Sequence, residues 1–555
     1  MIISMLLKKM LQRMDEMKAD IVFKNGEVVT VNADNDVSEA VAVKGNKIVA
    51  VGTNDEITSF IGHHTTVIDL EGKSLLPGFI DAHLHLTVYG LNLLGVNCTA
   101  PHVQSLQDIF TDIKKKANET TRGEWVRVWG FNEQNITEKR FPTRGELDAI
   151  SLDHPIVITR FCNHFSIVNS KALELAGINE ATPDPEGGMR ERDSDGRLTG
   201  KLIENAHMEL FHTASFTDHE LESAHKLASD TFVKAGITSV HDAGGYGCSP
   251  DIIRMMQKGV RSGDIKVRVY AMIGSLTNSE EFIQTMLRAG VVTGLGDEKF
   301  KIGPAKLFTD GSSTGPTIAT RKPYTSDPND YGIQYIEQEK LNRILGEAHE
   351  KGFQITAHAQ GDKAIEMVID CIEQALERCP RADHRHRIEH AGIAAPNLQE
   401  RMKQLNIIPI PNPVFIYMNG ESYMHHYGER VHVMYPAKDY VDKSIPAAFA
   451  SDAPVADCNP FLGIHAAVNR MTQSGQAAGP GQAVDVMEAV RAYTYNGAYA
   501  SFEEHLKGSI EEGKLADLVV LDRSLLQTNK EDMKHISVEM TMLDGEILYQ
   551  KNAIY

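Results

Sequence analysis

Between residues 20 and 70 the chain alternates apolar and polar positions, as "ADIVFKNGEVVTVN" and "AVAVKGNKIVAVG", around Asn25-Gly26 and Gly45-Asn46. Alternation with period two predicts half-buried strands, and Asn-Gly supplies the positive φ angles that tight hairpins require. The C-terminus has the same character, with "ADLVVLDR" and "EMTMLDGEILYQ" hinged at Asp544-Gly545. Neither end could bury its apolar face alone, so the two are expected to form one small β-sandwich, residues 20–74 with 507–555.

The pattern changes between these ends. Short apolar runs alternate with helical periodicity, which predicts repeated βα units and a parallel sheet. Eight candidate strands stand out: "LLPGFIDAH" (75–83), "ITSVHD" (237–242), "KVRVYAM" (266–272), "IGPAKLF" (302–308), "FQITAHA" (353–359), "HRIEHA" (386–391), "NIIPIP" (406–411) and "AAFASDA" (447–453). "KAG" before 237 and "EKG" before 353 read as glycine-closed helix ends. The fold class is therefore α/β, a (β/α)₈ TIM barrel over residues 75–90 and 231–506, with its site at the C-terminal strand ends. About 150 residues separate the first two strands, too many for a βα loop. That interval has its own strands and helices ("EWVRVWGF", "PIVITRF", "NSKALELAG") and reads as an inserted α+β subdomain, 91–230, over the barrel mouth.

Composition narrows the function classes. Hydrophobic residues make up 42% and charged residues 24%, ordinary for a globular chain, and the net charge of −19 is spread along it. An acidic chain without a basic patch argues against nucleic acid and against an anionic membrane surface. Six scattered cysteines with no CxxC pair read as reduced thiols of a cytoplasmic protein. The start, 1–19, reads as a frayed amphipathic helix rather than a signal peptide, and Met17 is an alternative to Met1 as the natural start. No Walker motif and no GxGxxG after a strand points to a nucleotide.

The chemistry gathers at strand ends. His83 and His85 share a face at the end of the first strand, where both imidazoles can reach one metal. HxH alone is weak, since about one is expected by chance among 23 histidines. His384-Arg-His386 has the same spacing at a strand beginning and reads as surface. The strength lies in repetition: His358 closes "FQITAHA", His390 closes "HRIEHA", Asp452 closes "AAFASDA" and Lys306 nearly closes "IGPAKLF". Four imidazoles and a carboxylate suit zinc or a similar divalent ion, with manganese and iron accepting the same ligands. Lysine cannot coordinate as an ammonium, but its neutral amine can add carbon dioxide to give an anionic carbamate. Such a group would bridge two ions about 3.5–4 Å apart. The alternative is a lysine paired with Asp310 or another acidic neighbour.

"PGFIDAHLHL", the strand-four lysine, "HAQGDKA", "RIEHA" and "ASDAP" resemble the metal-dependent amidohydrolase superfamily. "FPTRGELDAISLDHPIVITRFCNHFSIVNSKALELAGI", "KLFTDGS" and "GSIEEGKLADLVVLD" resemble its amidohydrolase-3 branch, which includes N-substituted formamide deformylases, from about residue 20 to 550. The resemblance implies His83, His85 and Asp452 on one ion, His358 and His390 on the other, and carboxylated Lys306 between them. It further implies two zinc ions per chain and hydrolysis of a non-peptide C–N bond by a metal-bridging hydroxide, with Asp452 as proton shuttle. The substrate is then a small amide or formamide, and a homodimer is the expected assembly.

Two departures touch the substrate side. Many relatives carry Gln-Pro after strand seven, where this chain has Pro411, Asn412 and Pro413, and many have Gly where this chain has Asn163. His164 and Arg160 are candidates for substrate contact, against ordinary packing or turn roles, and Asp310 and Asn412 complete the set. Tyr423, His425 and His426 read as a lid or a solvated aromatic loop. The rivals are a mononuclear deaminase or N-acyl deacylase of the same superfamily, which usually lacks the lysine, and a non-catalytic scaffold, which typically loses ligands.

Overall fold

Seven parallel strands follow one another in a single sheet: β1 (Phe79–Leu84), β2 (Ile237–Asp242), β3 (Arg268–Ile273), β4 (Phe300–Phe308), β5 (Ile355–Ala359), β6 (Arg387–His390) and β7 (Ile408–Ile410). The computed structural model describes residues 18–99, 103–160, 165–185, 188–245 and 249–551, so the expected N-terminal helix lies outside the described residues. Helices return the chain between strands. In Asp362–Arg378, Ala364, Ile365, Val368, Ile369, Ile372 and Ala375 recur at helical spacing and are buried. Gly236 (φ +80°) and Gly352 (φ +104°) precede β2 and β5 in the backbone conformation a glycine stop requires.

The eighth expected strand is not a regular one, and the sequence explains why. Segment 447–453 bonds to both edges of the sheet. Ala448 and Ala450 N–H donate to the carbonyls of Pro409 and Pro411 (3.2 Å each), while Asp452 N–H donates to the His83 carbonyl (2.8 Å). Ile408 N–H faces β6, donating to the His386 carbonyl at 2.9 Å, so residues 409 and 411 face 447–453, and a ladder carried further would call on 413 next. All three are proline and have no N–H to give. The barrel closes with one row of donors missing.

The first expected strand is two. Ser74–Pro77 joins a six-stranded sheet with Glu27–Val29, Val37–Ser38, Leu518–Leu521, Val538–Leu543 and Glu546–Gln550, which unites both ends of the chain. A second, four-stranded sheet packs on it over Phe23, Val41, Leu75, Leu518, Val520 and Met542. Gly78 then lets the chain pass into β1, because a Cβ there would lie 2.2 Å from the Thr238 hydroxyl. Arg268 on β3 ties the barrel to this sandwich, donating to both oxygens of Asp517 (2.7 and 2.9 Å) and to Asp544 (2.6 Å).

The chain forms two compact units, residues up to Leu86 with Ser229 onward, and Thr87–Ala228. The second unit is built on a mixed six-stranded sheet, Val96–Asn97, Val126–Phe131, Ile156–Arg160, Phe165–Val168, Leu198–Glu204 and Gly188–Arg192 in spatial order. Helix Leu106–Glu119 buries Leu106, Ile109 and Ile113 against it. Among the described residues no helix is long and apolar enough to cross a membrane.

His384 and His386 are not surface residues. They are 3% and 0% exposed and, with His349, form a buried imidazole chain at the N-terminal end of β5 and β6. Ile355 N–H donates to His386 Nδ1 (3.1 Å), His386 Nε2–H to His349 Nδ1 (2.9 Å), and His349 Nε2–H to the Cys379 carbonyl (2.7 Å). The His386 amide donates to His384 Nδ1 (2.9 Å), and His384 Nε2–H to the Leu405 carbonyl (2.8 Å). Every ring nitrogen is committed, so the added proton of an imidazolium would face a donor. Burial, with the Arg381 guanidinium nearby, holds all three below the ordinary histidine pKa. The unfolded chain therefore binds more protons as pH falls through about 6.5, and folding stability drops. We expect the unfolding temperature to fall between pH 7.5 and 5.5, and to fall less in His349→Gln, which keeps one acceptor and one donor; thermal melts across that range check it.

Candidate metal centre

The polar side chains of the site come from the C-terminal parts of β1, β4, β5 and β6, from His85 just past β1, and from the closing segment 447–453. In register, Phe308 on β4 is level with His358 on β5, and His358 with Glu389 on β6. The four imidazoles make one continuous group: the His390 ring centroid lies 4.6 Å from those of both His83 and His358, and His83 lies 5.4 Å from His85. Asp452 Oδ1 stands 3.4 Å from His83 Nε2 and 3.2 Å from His85 Nε2. Lys306 Nζ is 3.3 Å from His83 Nε2 and 3.3 Å from the Ala243 carbonyl, with the Phe308 ring centroid at 4.7 Å.

What lies behind the imidazoles fixes their chemistry. His83 Nδ1 donates to Glu389 (2.5 Å), His85 Nδ1 to the Gly244 carbonyl (2.7 Å), His358 Nδ1 to Asp310 (3.0 Å) and His390 Nδ1 to Asn412 Oδ1 (2.7 Å). With Nδ1 occupied by a proton in all four, Nε2 keeps its lone pair for a ligand. Burial holds His83 well below the ordinary histidine pKa and brings His390 down to about 3, so both stay neutral.

Asp310 and Asn412, expected among the substrate contacts, are both buried, and their side chains meet the imidazoles of His358 and His390. Asp310 also accepts from the amides of Gln360 (3.1 Å), Gly361 (2.8 Å) and Ala319 (3.1 Å). Arg160 is committed as well, forked onto Glu133 at 2.8 Å through both Nε and Nη2. Tyr423, His425 and His426 belong to a helix, Val414–Tyr427, rather than a loop. Tyr423 is fully buried, with its hydroxyl 2.8 Å from Ser313 Oγ. His164 lies outside the described residues.

Glu389 and Arg387 were not expected at the site at all. Arg387 is fully buried and donates to both oxygens of Glu389 (2.9 Å each) and to the Ala82 carbonyl (2.6 Å), with His241 Nδ1 at 2.8 Å. Thr356 gives Glu389 a further hydrogen bond (2.7 Å). Burial opposes the charge on Glu389, but Arg387 and Lys306 overcome it and hold the carboxyl below its ordinary pKa. The signal was present in "RIEH", where Arg387 and Glu389 sit two apart on one strand face. In a regular strand His390 would then point away from them; its φ of +69°, followed by +45° at Ala391, turns it back to the site. Asp452 likewise has φ +63°. Such backbone costs about 1–3 kcal/mol per residue and is tolerated where surroundings enforce it.

Burial also acts on the remaining acids and on the lysine. It raises Asp81 to about 7 and Asp242 to about 6 and lowers Lys306 to about 8, leaving part of the amine neutral near neutrality.

The donor set fits a divalent metal. One ligand atom from each of His83, His85 and Asp452 lies within 4.8 Å of the others, and Asp452 Oδ1 is buried without a hydrogen bond. A carboxylate oxygen in that state among imidazole lone pairs suits a cation rather than a proton. A parallel barrel with such a site at its C-terminal strand ends is the architecture of a metal-dependent hydrolase. The chain belongs to the amidohydrolase family, whose description matches residues 66–549, and is a metal-dependent amidohydrolase. It is 31% identical over 546 residues to an N-substituted formamide deformylase of Arthrobacter pascens, covering 96% of this chain and 98% of that one. It is 30% identical over 544 residues to the protein LONG AFTER FAR-RED 3 of Arabidopsis thaliana, covering 96% and 92%. A metal-dependent hydrolase from Pyrococcus horikoshii superposes with a TM-score of 0.77 at 27% identity, covering 92% and 99%.

Two outcomes follow from the buried pair. Glu389→Gln weakens the hold on His83 and is expected to lower divalent-ion affinity about 10–100-fold, read by chelator competition. Arg387→Met strands a buried carboxylate and is expected to cost about 3–5 kcal/mol in urea unfolding.

Proposed function

We propose that this amidohydrolase cleaves a non-peptide C–N bond in a small amide, of the N-substituted formamide type, at a two-ion centre. The observation that supports it is the set of four neighbouring imidazoles, each with its Nδ1 spent on a backing acceptor so that Nε2 carries the lone pair, with the unbonded Asp452 oxygen beside those of His83 and His85. The kinship with a formamide deformylase over nearly the whole of both chains supports the bond type.

His83, His85 and Asp452 would hold one ion, His358 and His390 the other, and Lys306 would bridge them as a carbamate. Bound ions, zinc first with manganese or iron acceptable, supply a Lewis acid for the carbonyl oxygen and water acidified to a pKa of about 7. The carbamate needs the neutral amine: its nitrogen bonds to the carbon of carbon dioxide and releases a proton. Burial that draws Lys306 to about 8 favours this. Asp452, with 9% of its side chain exposed, would take the proton of the attacking water and return it to the departing nitrogen. His85 and His358, each 13% exposed against 1% for His83, are the more accessible imidazoles, so substrate would meet the site from their side.

Metal content separates this reading from its one-ion rival. Protein purified without chelator is expected to carry about two divalent ions per chain, and Lys306→Ala fewer, with hydrolysis of N-formyl and N-acyl amines lost in the variant. One ion in both proteins would reduce Lys306 to a structural residue.

A further inference from the structure

Asn412 sits where the seam of the barrel and the metal centre meet. Its side chain is 0% exposed and both polar atoms are used: Oδ1 accepts from His390 Nδ1 (2.7 Å) and Nδ2 donates to the Ala450 carbonyl (3.1 Å). The second bond answers a shortage already described. Ala450 N–H donates to the Pro411 carbonyl, so a parallel ladder would next pair the Ala450 carbonyl with the amide of residue 413. Residue 413 is proline, and the Asn412 amide supplies the donor that the backbone lacks.

This determines which way the amide faces. Turned over, Asn412 would set its oxygen against the Ala450 oxygen and offer an N–H to His390 Nδ1. The Ala450 carbonyl therefore fixes the Asn412 orientation, which in turn fixes the His390 tautomer and leaves Nε2 free. Asn412 also differs in kind from the group behind His358. Asp310 is a carboxylate and strengthens its imidazole as a donor, whereas an amide oxygen carries no charge.

We propose that Asn412 is a positioning residue that sets the affinity of the His358–His390 ion while closing the barrel between β7 and 447–453. The inference rests on the two-ion reading above. The two roles are separable because an aspartate at 412 keeps the acceptor for His390, and adds charge to it, but loses the donor for Ala450.

Zinc is titrated into chelator-stripped parent, Asn412→Asp and Asn412→Leu in competition with a chromophoric chelator, alongside thermal melts of the stripped proteins. In the parent two equivalents are expected. In Asn412→Leu one of them should weaken about 10–100-fold while the other holds, and the melting temperature should fall. In Asn412→Asp the melting temperature should fall but the same equivalent should tighten, a divergence that loss of structure alone cannot produce. The proposal is overturned if Asn412→Asp weakens that equivalent in step with stability, or if Asn412→Leu leaves both unchanged. If Asn412→Leu does not fold, Asn412→Asp decides by itself. A parent that takes up one ion overturns the two-ion reading; the role of Asn412 then fails if that ion's affinity ignores both variants and stands if it shifts as described.

Discussion

The ion pair between Arg387 and Glu389 is the contact on which the barrel interior and the metal centre both depend. Such barrels are usually filled by layers of branched apolar side chains. Here a guanidinium and a carboxylate, both fully buried, occupy the middle. The desolvation cost is several kcal/mol per ion, and it is offset only because the remaining donors and acceptors are nearly all used. Arg387 reaches the Ala82 carbonyl of β1 and His241 of β2, while Glu389 takes Thr356 of β5 and His83. One pair on β6 thus ties strands from both sides of the barrel and dictates the tautomer of His83. An apolar pair of equal volume could match its stability, but it could not hold His83.

Much of this was legible in the sequence, for reasons that differ by element. The six proposed ligands could be read because strand ends are marked by a change in pattern, and polar groups at five such ends are improbable without a shared task. Pairing of the chain ends in one sheet was legible from unsatisfied apolar faces. The supporting residues were not. Asp310 and Asn412 look like exposed polar residues in loops, and only the fold shows that His358 and His390 turn toward them. His384 and His386 misled because charged neighbours in "RADHRHR" resemble a surface run, whereas imidazoles can satisfy buried amides and carry no charge themselves.

The prolines of "IIPIPNP" read in the sequence as part of a strand and, at 411 and 413, as a departure on the substrate side. Their spacing of two is the informative feature, since it removes donors from one edge and leaves the other intact. The closing segment 447–453 is consequently held by single bonds and side chains: Asn412 from one side, and from the other Asp81, which accepts from the Ser451 amide at 3.1 Å. Both of those side chains also contact the metal-binding set, Asp81 through the His83 amide (3.2 Å). Barrel closure and ligand placement are not independent in this protein.

The left-handed backbone at His390 and Asp452 has a consequence for how sequence retention should be weighed. Apart from glycine, asparagine, aspartate and histidine are the residues that adopt this conformation most readily, and β-branched residues scarcely adopt it. At these two positions the chain geometry and the chemistry favour the same side chains. A descendant that had abandoned catalysis would still be under conformational pressure to keep them. His83, His85 and His358 lie on or beside regular strands, with no such second constraint, so their persistence in a relative is the sounder sign that the reaction persists too.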